Sequence, residues 1–350
     1  MNCKSATPGL IASNATLPGA ARQLSTAFAM LAGGLLAVTV PAHARTCPPI
    51  PNPVVDLAIE RYYGDSAGSI VEPARMEAYE AQTAPLAAFV GFITKYADRA
   101  WQQPSGAHDA AACALAWLKG WADGGAYLGK MSSKQAEAQR RWDLAGTALA
   151  YVKVRKWAGP QERAAIEAWL ARWADAARAA FDDKTVKRNN HWYWFGLAQA
   201  GVATAANDAK RWQEARAIFQ DALADITPEG TLPLELARKG RALHYHAFAA
   251  EPLVVMAEIA TQRGEDWYSL REGALHRLLA LTVRGLADPA IFDRLAGVAQ
   301  QRPVKSGYGW AIAYRARFPG KMPEAIQQPA SHRYIGGDIM VLERAICSSP

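Results

Sequence analysis

Residues 162–181 read ERAAIEAWLARWADAARAAF, and the nearby stretch 194–206 reads WFGLAQAGVATAA. In the first stretch, large apolar residues recur every three or four positions and charged residues occupy the opposite face, which predicts an amphipathic helix. The second stretch has no charged residue, and a helix that is apolar all round is buried on all sides. Residues 209–226 repeat the first pattern, and residues 247–261 are again mostly apolar. This alternation predicts an outer ring of helices around an inner ring.

Helical periodicity extends over nearly the whole chain from about residue 83. Strand-like alternation is found only in a doubtful stretch at 333–341, RYIGGDIMV, and the segments 62–75 and 182–190 have the composition of loops. We therefore predict an all-α fold, an incomplete α/α toroid built as a double ring of antiparallel helices. The competing fold is an α-solenoid, which requires a repeat of about 30–40 residues. No such repeat recurs in this sequence.

The N-terminal segment has the features of a secretory signal. An apolar run at 24–40 follows Lys4 and Arg22 with no acidic residue before it, and the sequence AHA at 42–44 is a small-x-small cleavage pattern. We predict a cleaved signal peptide over residues 1–44 and a periplasmic protein. A single membrane anchor is the alternative. No later uncharged run reaches the roughly 20 residues that a bilayer span needs.

The mature chain, residues 45–350, is predicted to form one domain because no Gly/Ser-rich linker divides it. The whole sequence has a net charge of +7, and this mild excess is not the clustered basic stripe of a nucleic-acid-binding protein. It suits a polyanionic partner attracted over long range, although an ordinary solvated surface explains it equally well. Cys47, Cys113 and Cys347 remain in an oxidising compartment, and three pairings between them are possible.

A cluster of amides, an imidazole and aromatic rings stands at residues 188–196, RNNHWYWFG. Asn189 or Asn190 occupies the position of a helix cap, so the plain interpretation is a cap followed by His191 in the first turn. A helix start also presents unpaired N–H groups and a partial positive charge, which favour anions. An amide at that position could bind a carboxylate without adding a competing negative charge.

A second cluster lies at residues 234–246, LELARKGRALHYH. Arg238 and Tyr245 are seven positions apart, so on a helix they share one face, and Arg241 falls close to it. A cation near a phenol favours the phenolate, so we expect the pKa of Tyr245 to be lowered from about 10. A surface arginine beside a packed tyrosine is the alternative, and Gly240 weakens the prediction of a helix here.

Neither a metal site nor a nucleophilic triad is indicated. His244 and His246 are two positions apart and point in different directions on a helix, unlike the four-residue spacing of helical zinc pairs. No G-x-S-x-G motif is present. We predict no metal and no cofactor.

The two clusters together lack the carboxylate pair that glycoside hydrolysis uses. They fit β-elimination on a uronic acid polymer, in which a base removes the proton at C5 next to the sugar carboxylate. The negative charge that develops on that carboxylate needs fixed donors, and the departing glycosidic oxygen needs a proton. A nearby carboxylate side chain would repel both the substrate and the intermediate.

The motifs NNHWYW at 189–194 and ELARKGRALHYH at 235–246 closely resemble the mannuronate-specific alginate lyase family, polysaccharide lyase family five. Weaker likeness extends to 112–128, 140–146 and 333–338. The resemblance implies an α/α toroid with a deep, cationic, aromatic-lined substrate groove. It also implies a disulfide between Cys47 and Cys113.

The resemblance also implies roles for four residues. Asn190 and Arg238 would neutralise the C5 carboxylate. Tyr245 would be the catalytic acid, and for mannuronate also the base, because C5–H and the leaving oxygen lie on the same face of that sugar. His191 would position the substrate or deprotonate it, and it could be the base on the epimeric sugar.

Further residues are assigned to substrate binding: Arg61, Tyr62, Arg241, Arg333, Trp142, Trp192 and Trp194. The indoles would stack on sugar rings, although large aromatic residues in a helical protein are as often core residues. Many family members have lysine where this chain has Arg61, and a planar guanidinium is not equivalent to a point charge. Glucuronan or hyaluronan is therefore an alternative substrate.

We predict a monomeric polysaccharide lyase that cleaves poly-β-D-mannuronate, with an anionic polysaccharide as its partner. It is expected to bind neither nucleic acid nor, after signal cleavage, a membrane. Two alternatives belong to other classes. A hydrolase on a similar toroid would leave no unsaturated product, and a non-catalytic protein of polysaccharide export would bind polymer without cleaving it.

Overall fold

Helices make up most of the structure. The computed structural model describes residues 47–183, 186–301, 309–322 and 331–348. The helices are α1 (Pro73–Gln102), α2 (Ala107–Asp123), α3 (Lys134–Val154), α4 (Pro160–Ala179), α5 (Asn190–Ala206), α6 (Ala209–Asp225), α7 (Pro233–Leu236), α8 (Ala242–Gln262), α9 (Leu270–Ala287), α10 (Ala290–Ala296), α11 (Trp310–Arg317) and α12 (Ile339–Cys347). Two short strands, β1 (Ser331–His332) and β2 (Gly337–Asp338), pair antiparallel.

Buried helices and amphipathic helices alternate along the chain. Nearly every residue of α3, α5 and α8 is buried, whereas α4 and α6 bury one stripe each. The stripe of α4 consists of Ile166, Trp169, Leu170, Trp173, Ala174 and Ala177. Helix α5 packs against α3 and α8 in the inner layer, and α4 and α6 cover it from outside. This arrangement is an α/α toroid, and it confirms the double ring predicted from the sequence.

A disulfide joins Cys47 to Cys113 in α2, with a Cα–Cα separation of 5.3 Å. It confirms the pairing that the resemblance implied. Beside it, the Trp117 indole donates a hydrogen bond of 3.1 Å to the Pro48 carbonyl. Both contacts hold the extended N-terminal segment against α2, so this segment is fixed before it reaches the loop at 62–72.

The predicted signal peptide, residues 1–44, lies outside the described residues. From Cys47 onward the chain forms one compact unit. Among the helices of the described residues, none is both long enough and apolar enough to cross a membrane.

The C-terminal segment differs from the strand predicted at 333–341. Each strand has only two residues, a 3-10 turn covers Arg333–Ile335, and α12 already begins at Ile339. The reason lies in Gly336, whose φ angle of 73° turns the chain back between the two strands.

Close packing holds this segment against α3. A Cβ atom on Gly146 of α3 would lie 2.2 Å from the Arg333 carbonyl oxygen, so only glycine allows the approach. Further along α3, the buried Lys153 ammonium forms an ion pair with Asp98 and donates a 2.6 Å hydrogen bond to the Gly336 carbonyl. The segment is therefore anchored at both ends, which fixes the position of the Arg333 side chain.

Candidate active site

A cleft of about 850 Å3 opens among the N-terminal loop, the first turns of α3, α5 and α8, and the C-terminal segment. Its lining includes eight residues predicted from the sequence: Arg61, Tyr62, Trp142, His191, Arg238, Arg241, Tyr245 and Arg333. It also includes residues that sequence reasoning missed: Tyr63, Tyr79, Lys134, Gln135, Phe248, His332 and Tyr334. Motifs far apart in the sequence thus meet in one cavity.

The Tyr245 side chain is held from two directions. Its hydroxyl is hydrogen-bonded to the Tyr63 hydroxyl, and the Arg238 guanidinium lies 3.7 Å from the ring centroid. Burial raises the pKa of Tyr245 above its ordinary value of about 10; Tyr63 raises it further, and Arg238 and Arg241 offset only part of the increase. The prediction of a lowered pKa is therefore wrong, because desolvation outweighs the two cations. Tyr245 is a protonated phenol near neutral pH.

The segment 234–246 is not one continuous helix. Between α7 and α8, which begins at Ala242, lies a 3-10 turn, Lys239–Arg241, whose first residue has a φ of 51°. The prediction that Arg238 and Tyr245 share a helix face is therefore wrong. The turn nevertheless folds the chain back, so that the guanidinium covers the ring that begins the following helix.

His191 lies in the first turn of α5, and its ring lies 5.8 Å from the Trp142 ring, centroid to centroid, with an interplanar angle of 26°. Burial lowers its pKa to about 3, and the nearby charges of Arg141 and Arg238 contribute to the decrease. The imidazole is therefore neutral near pH 7. A neutral imidazole has a lone pair that can accept a proton.

Asn190 is placed beside the cleft but does not line it, and its exposed fraction is 0%. Its backbone N–H and its side-chain Nδ2 each donate a 2.8 Å hydrogen bond to Oε1 of Glu235, a buried residue of α7. The helix cap is Asn189, which accepts from the His191 N–H at 3.2 Å. The first N–H groups of α5 are thus already paired, so the structure does not support direct binding of an anion by them.

Two of the three predicted sugar-stacking indoles belong to the core. The Trp192 indole donates to Asp221 at 3.0 Å and packs on Phe181. Trp194 is fully buried and packs against Phe248, with ring centroids 5.0 Å apart. Neither ring lines the cleft, so these two assignments are corrected to packing roles. Asp221 and Phe181 hold the Trp192 ring, and Phe248 contacts the Trp194 ring. The local sequence could not indicate these contacts.

A buried polar network supports the cleft from below. Gln139 donates to Asp143 at 2.9 Å and accepts from the Tyr79 hydroxyl at 2.6 Å. Arg333 donates to the Tyr334 hydroxyl at 2.8 Å, and Gln139 contacts the same hydroxyl at 3.2 Å. Burial raises the pKa of Asp143 to about 6. Polar residues four apart in the buried helix α3 are the sequence signal that could have revealed this network.

The histidines at 244 and 246 point in different directions, as their spacing indicates. His244 lines the cleft. His246 is fully buried, with Nε2 accepting from the Leu232 N–H at 2.9 Å and Nδ1 donating to the Ala242 carbonyl at 2.8 Å. These bonds connect the start of α8 to Leu232, the residue that precedes α7, so the role of His246 is structural.

The charge of the cleft has one sign. Its cationic side chains come from four segments: Arg61, Lys134, Arg238, Arg241 and Arg333. No aspartate or glutamate is found among the described residues that line it. A cavity of this kind attracts a polyanion and stabilises developing negative charge, whereas hydrolysis by the usual pair of carboxylates has no counterpart there. An α/α toroid with a cationic, phenol-bearing cleft of this kind defines a polysaccharide lyase.

Comparison with known proteins agrees with this class. The family model described as alginate lyase matches residues 56–292. A polysaccharide lyase of Stenotrophomonas maltophilia (strain K279a) is 40% identical over 302 residues, covering 85% of this chain and 90% of that protein. An alginate lyase of Azotobacter vinelandii is 30% identical over 317 residues, covering 85% and 84%. The chain belongs to the alginate lyase family.

Solved structures support the fold. Alginate lyase A1-III from Sphingomonas species A1 superposes with a TM-score of 0.72 at 23% identity, covering 87% of this chain and 86% of that one. A single-residue variant of alginate lyase A1-III complexed with a tetrasaccharide gives a TM-score of 0.74, covering 88% and 89%. The toroid therefore persists although fewer than a quarter of the residues are identical.

Proposed function

We propose that this protein cleaves poly-β-D-mannuronate, the mannuronate form of alginate, by β-elimination and leaves 4-deoxy unsaturated uronate ends. The observation that carries the proposal is the protonated Tyr245 phenol beside Arg238 and Arg241 in a cleft whose described lining has no carboxylate. Membership of the alginate lyase family supports a uronate polymer as the substrate.

The proposed reaction begins at C5 of the sugar. A base takes the C5 proton, the electron pair forms the C4=C5 double bond, and the C4–O bond breaks as the leaving oxygen receives a proton. Arg238 would neutralise the charge that builds on the carboxylate. Asn190, which is buried and does not line the cleft, would support the first turn of α5, which carries His191. Arg61, Tyr62, Trp142, Arg241 and Arg333 would hold the neighbouring sugars.

Tyr245 and His191 divide the proton transfers. Burial keeps Tyr245 protonated, so it has a proton to donate to the leaving oxygen, and it keeps His191 neutral, so the imidazole has a lone pair that can accept a proton. On mannuronate, C5–H and the leaving oxygen lie on one face, so Tyr245 can serve both steps. It first loses its hydroxyl proton to solvent, a loss that Arg238 and Arg241 favour, and it then takes the C5 proton and passes that proton to the leaving oxygen. On the epimeric sugar the base is His191.

A single assay tests the proposal. The purified protein is incubated with mannuronan, guluronan, glucuronan and hyaluronan, and ultraviolet absorbance reports the unsaturated product. We expect the fastest rise with mannuronan and none with the Y245F variant. Cleavage without absorbance would indicate hydrolysis, and binding without cleavage would indicate a carrier; either result contradicts the proposal. A faster rise with glucuronan or hyaluronan would retain the lyase but reject mannuronate as the preferred sugar.

We also propose that the protein works in the periplasm as a monomer. The apolar run and cleavage pattern before residue 45 support export, and the Cys47–Cys113 disulfide suits an oxidising compartment. Cell fractionation and the mass of the mature protein in solution test both points. Retention of an uncleaved chain in the cytoplasm, or a stable dimer, would contradict them.

A further inference from the structure

Glu235 is a buried carboxylate immediately behind the cleft. It belongs to α7, its exposed fraction is 0%, and it does not line the cleft. Its Oε1 atom accepts two hydrogen bonds of 2.8 Å, one from the backbone N–H of Asn190 and one from Nδ2 of Asn190. Sequence reasoning passed over Glu235, although it stands three residues before Arg238.

These two bonds determine which way the Asn190 amide points. An ionised carboxylate only accepts hydrogen bonds, so the atom facing Glu235 must be the NH2 group. The carbonyl oxygen Oδ1 then faces away, and within the described part of the chain it is buried without a hydrogen-bond partner. The acceptor character of Glu235 therefore fixes which side of the Asn190 amide faces it.

Glu235 contacts both motifs that carry the site, through its carboxylate to Asn190 and through its backbone carbonyl to Arg238. Asn190 and His191 begin α5, whereas the Glu235 carbonyl accepts from the Arg238 N–H at 3.1 Å in the turn that follows α7. Burial raises the pKa of Glu235, and the hydrogen bonds from Asn190 and the Arg238 charge oppose that effect. Glu235 thus contacts an amide on one side and the backbone of a cationic residue on the other.

Two further carboxylates, Asp221 and Asp225, contact the first turn of α5, and they differ from Glu235 in what they hold. Asp221 accepts from the Trp192 indole at 3.0 Å, and Asp225 accepts from the Tyr193 hydroxyl at 2.8 Å. Both partners are rings packed outside the cleft. Asp225 is therefore the control. Its replacement loosens the same helix at Tyr193 and removes a charge that raises the pKa of Glu235, but it leaves the acceptor of Asn190 in place.

We propose that Glu235 is a positioning residue that acts through Asn190: it fixes the amide and the first turn of α5 in the orientation that the elimination requires. The proposal rests on the function proposed above. Glu235 does not touch the polymer, so its loss should lower kcat and leave KM nearly unchanged.

The test compares E235A, E235Q, N190A and the double variant E235A/N190A, with D225N as control, on mannuronan. Misplaced catalytic groups cost up to about 100-fold, so we expect kcat of E235A to fall roughly 10- to 100-fold. E235Q keeps an acceptor at the same position and should recover most of that loss. In the N190A background, E235A should have little further effect, because the residue through which it acts is gone. D225N should lower thermal stability and leave kcat nearly unchanged.

Three results would overturn the proposal: an unchanged kcat in E235A, full additivity with N190A, or an equal loss of kcat in D225N. If E235A does not fold, E235D, which withdraws the carboxylate from Asn190 by one methylene, is compared in both backgrounds under the same criterion. If the wild-type protein produces no absorbance with any polymer, the proposed function fails. An active wild type with an equally active E235A refutes the positioning role alone.

Discussion

The Arg238 guanidinium lies over the face of the Tyr245 ring, 3.7 Å from its centroid, while the Tyr245 hydroxyl is hydrogen-bonded to Tyr63. A cation over a ring face is attracted to the ring itself. Arg238 therefore holds the Tyr245 ring by its face and does not contact the ring through the hydroxyl. This arrangement separates two tasks. The cation can hold a sugar carboxylate near the phenol without occupying the atom that transfers the proton.

Replacing Tyr245 with phenylalanine should remove the proton donor and leave the fold intact. General acid–base catalysis contributes roughly 10²- to 10⁴-fold, so we expect kcat of Y245F to fall by about that factor. The Arg238 contact with the ring remains, and stability should change little. Initial rates on mannuronan and thermal unfolding measure the two effects. A Y245F enzyme with normal turnover would refute the assignment.

Tyr63 offers the matched comparison, because it shares the hydrogen bond but is not assigned to the chemistry. We expect Y63F to lower kcat much less than Y245F, since the donor remains and only its partner is lost. If Y63F were as inactive as Y245F, the proton donor could not be distinguished from its neighbour, and a role for Tyr63 in the transfer would follow.

Replacing Arg238 should weaken stabilisation of the developing charge. Loss of one such group typically costs about 10²- to 10³-fold in kcat, and we expect R238A to fall in that range. R238K should be intermediate, because lysine keeps the charge but not the planar fork. Arg263 is the control, because it follows the last residue of α8 and lies outside the cleft. Its guanidinium lies 4.3 Å from the Trp212 ring centroid. R263A should affect stability only, so a similar kinetic loss there would contradict the assignment.

The acid limb of the pH profile should lie well below pH 6.5. Burial lowers the pKa of His191 to about 3, so the neutral imidazole persists as the pH falls through the usual histidine range. If the reaction needs neutral His191, kcat/KM should decline only where the imidazole gains a proton. Rates between about pH 2.5 and 9 on a uronate model substrate, corrected for the titration of its own carboxylate, measure this limb.

Replacing Arg141 tests the electrostatic cause of the low pKa of His191 directly. Its charge is one cause of the low pKa of His191, so R141M should raise that pKa and shift the acid limb upward. Arg140 is its neighbour on α3 and pairs with Glu137 at 2.7 Å. R140M should leave the limb in place. A limb that moves with R140M, or that does not move with R141M, would contradict the electrostatic explanation.

The helices could be predicted from the sequence because their periodicity reflects burial directly. The stripe of α4 and the uncharged face of α5 follow from which residues avoid water, and that preference is local. The motifs at 189–194 and 235–246 located the cleft and supplied His191, Arg238, Arg241 and Tyr245 of its lining, because they hold unusual combinations of amides, phenols and cations.

Other features depended on contacts between distant segments. The packing of neighbouring helices decides whether Trp142, Trp192 or Trp194 faces the cleft. The sequence around each tryptophan does not distinguish a cleft residue from a core residue. The pKa of Tyr245 could not be predicted from spacing, because desolvation depends on the loop that brings Tyr63 over it. Glu235 was hidden for the same reason, since its partner lies 45 positions away along the chain.

Gly146 should be required for the position of the C-terminal segment at the cleft. An added Cβ there would lie 2.2 Å from the Arg333 carbonyl oxygen and 3.2 Å from Tyr334 Cα, so G146A must push both residues outward. We expect KM to rise several-fold, because Arg333 leaves its place, and the free energy of unfolding to fall by about 1–3 kcal/mol, as in other overpacked sites.

Gly91 in α1 supplies the control, since a Cβ there would meet nothing within 4 Å. G91A should leave KM unchanged and raise the free energy of unfolding by up to about 1 kcal/mol, because alanine favours a helix more than glycine does. Urea unfolding and saturation curves on mannuronan measure both quantities. The two substitutions add the same methyl group to a helical glycine, so opposite signs in stability can only come from the space around it. If G146A resembled G91A in stability and KM, the close approach of Arg333 to α3 would not constrain the cleft.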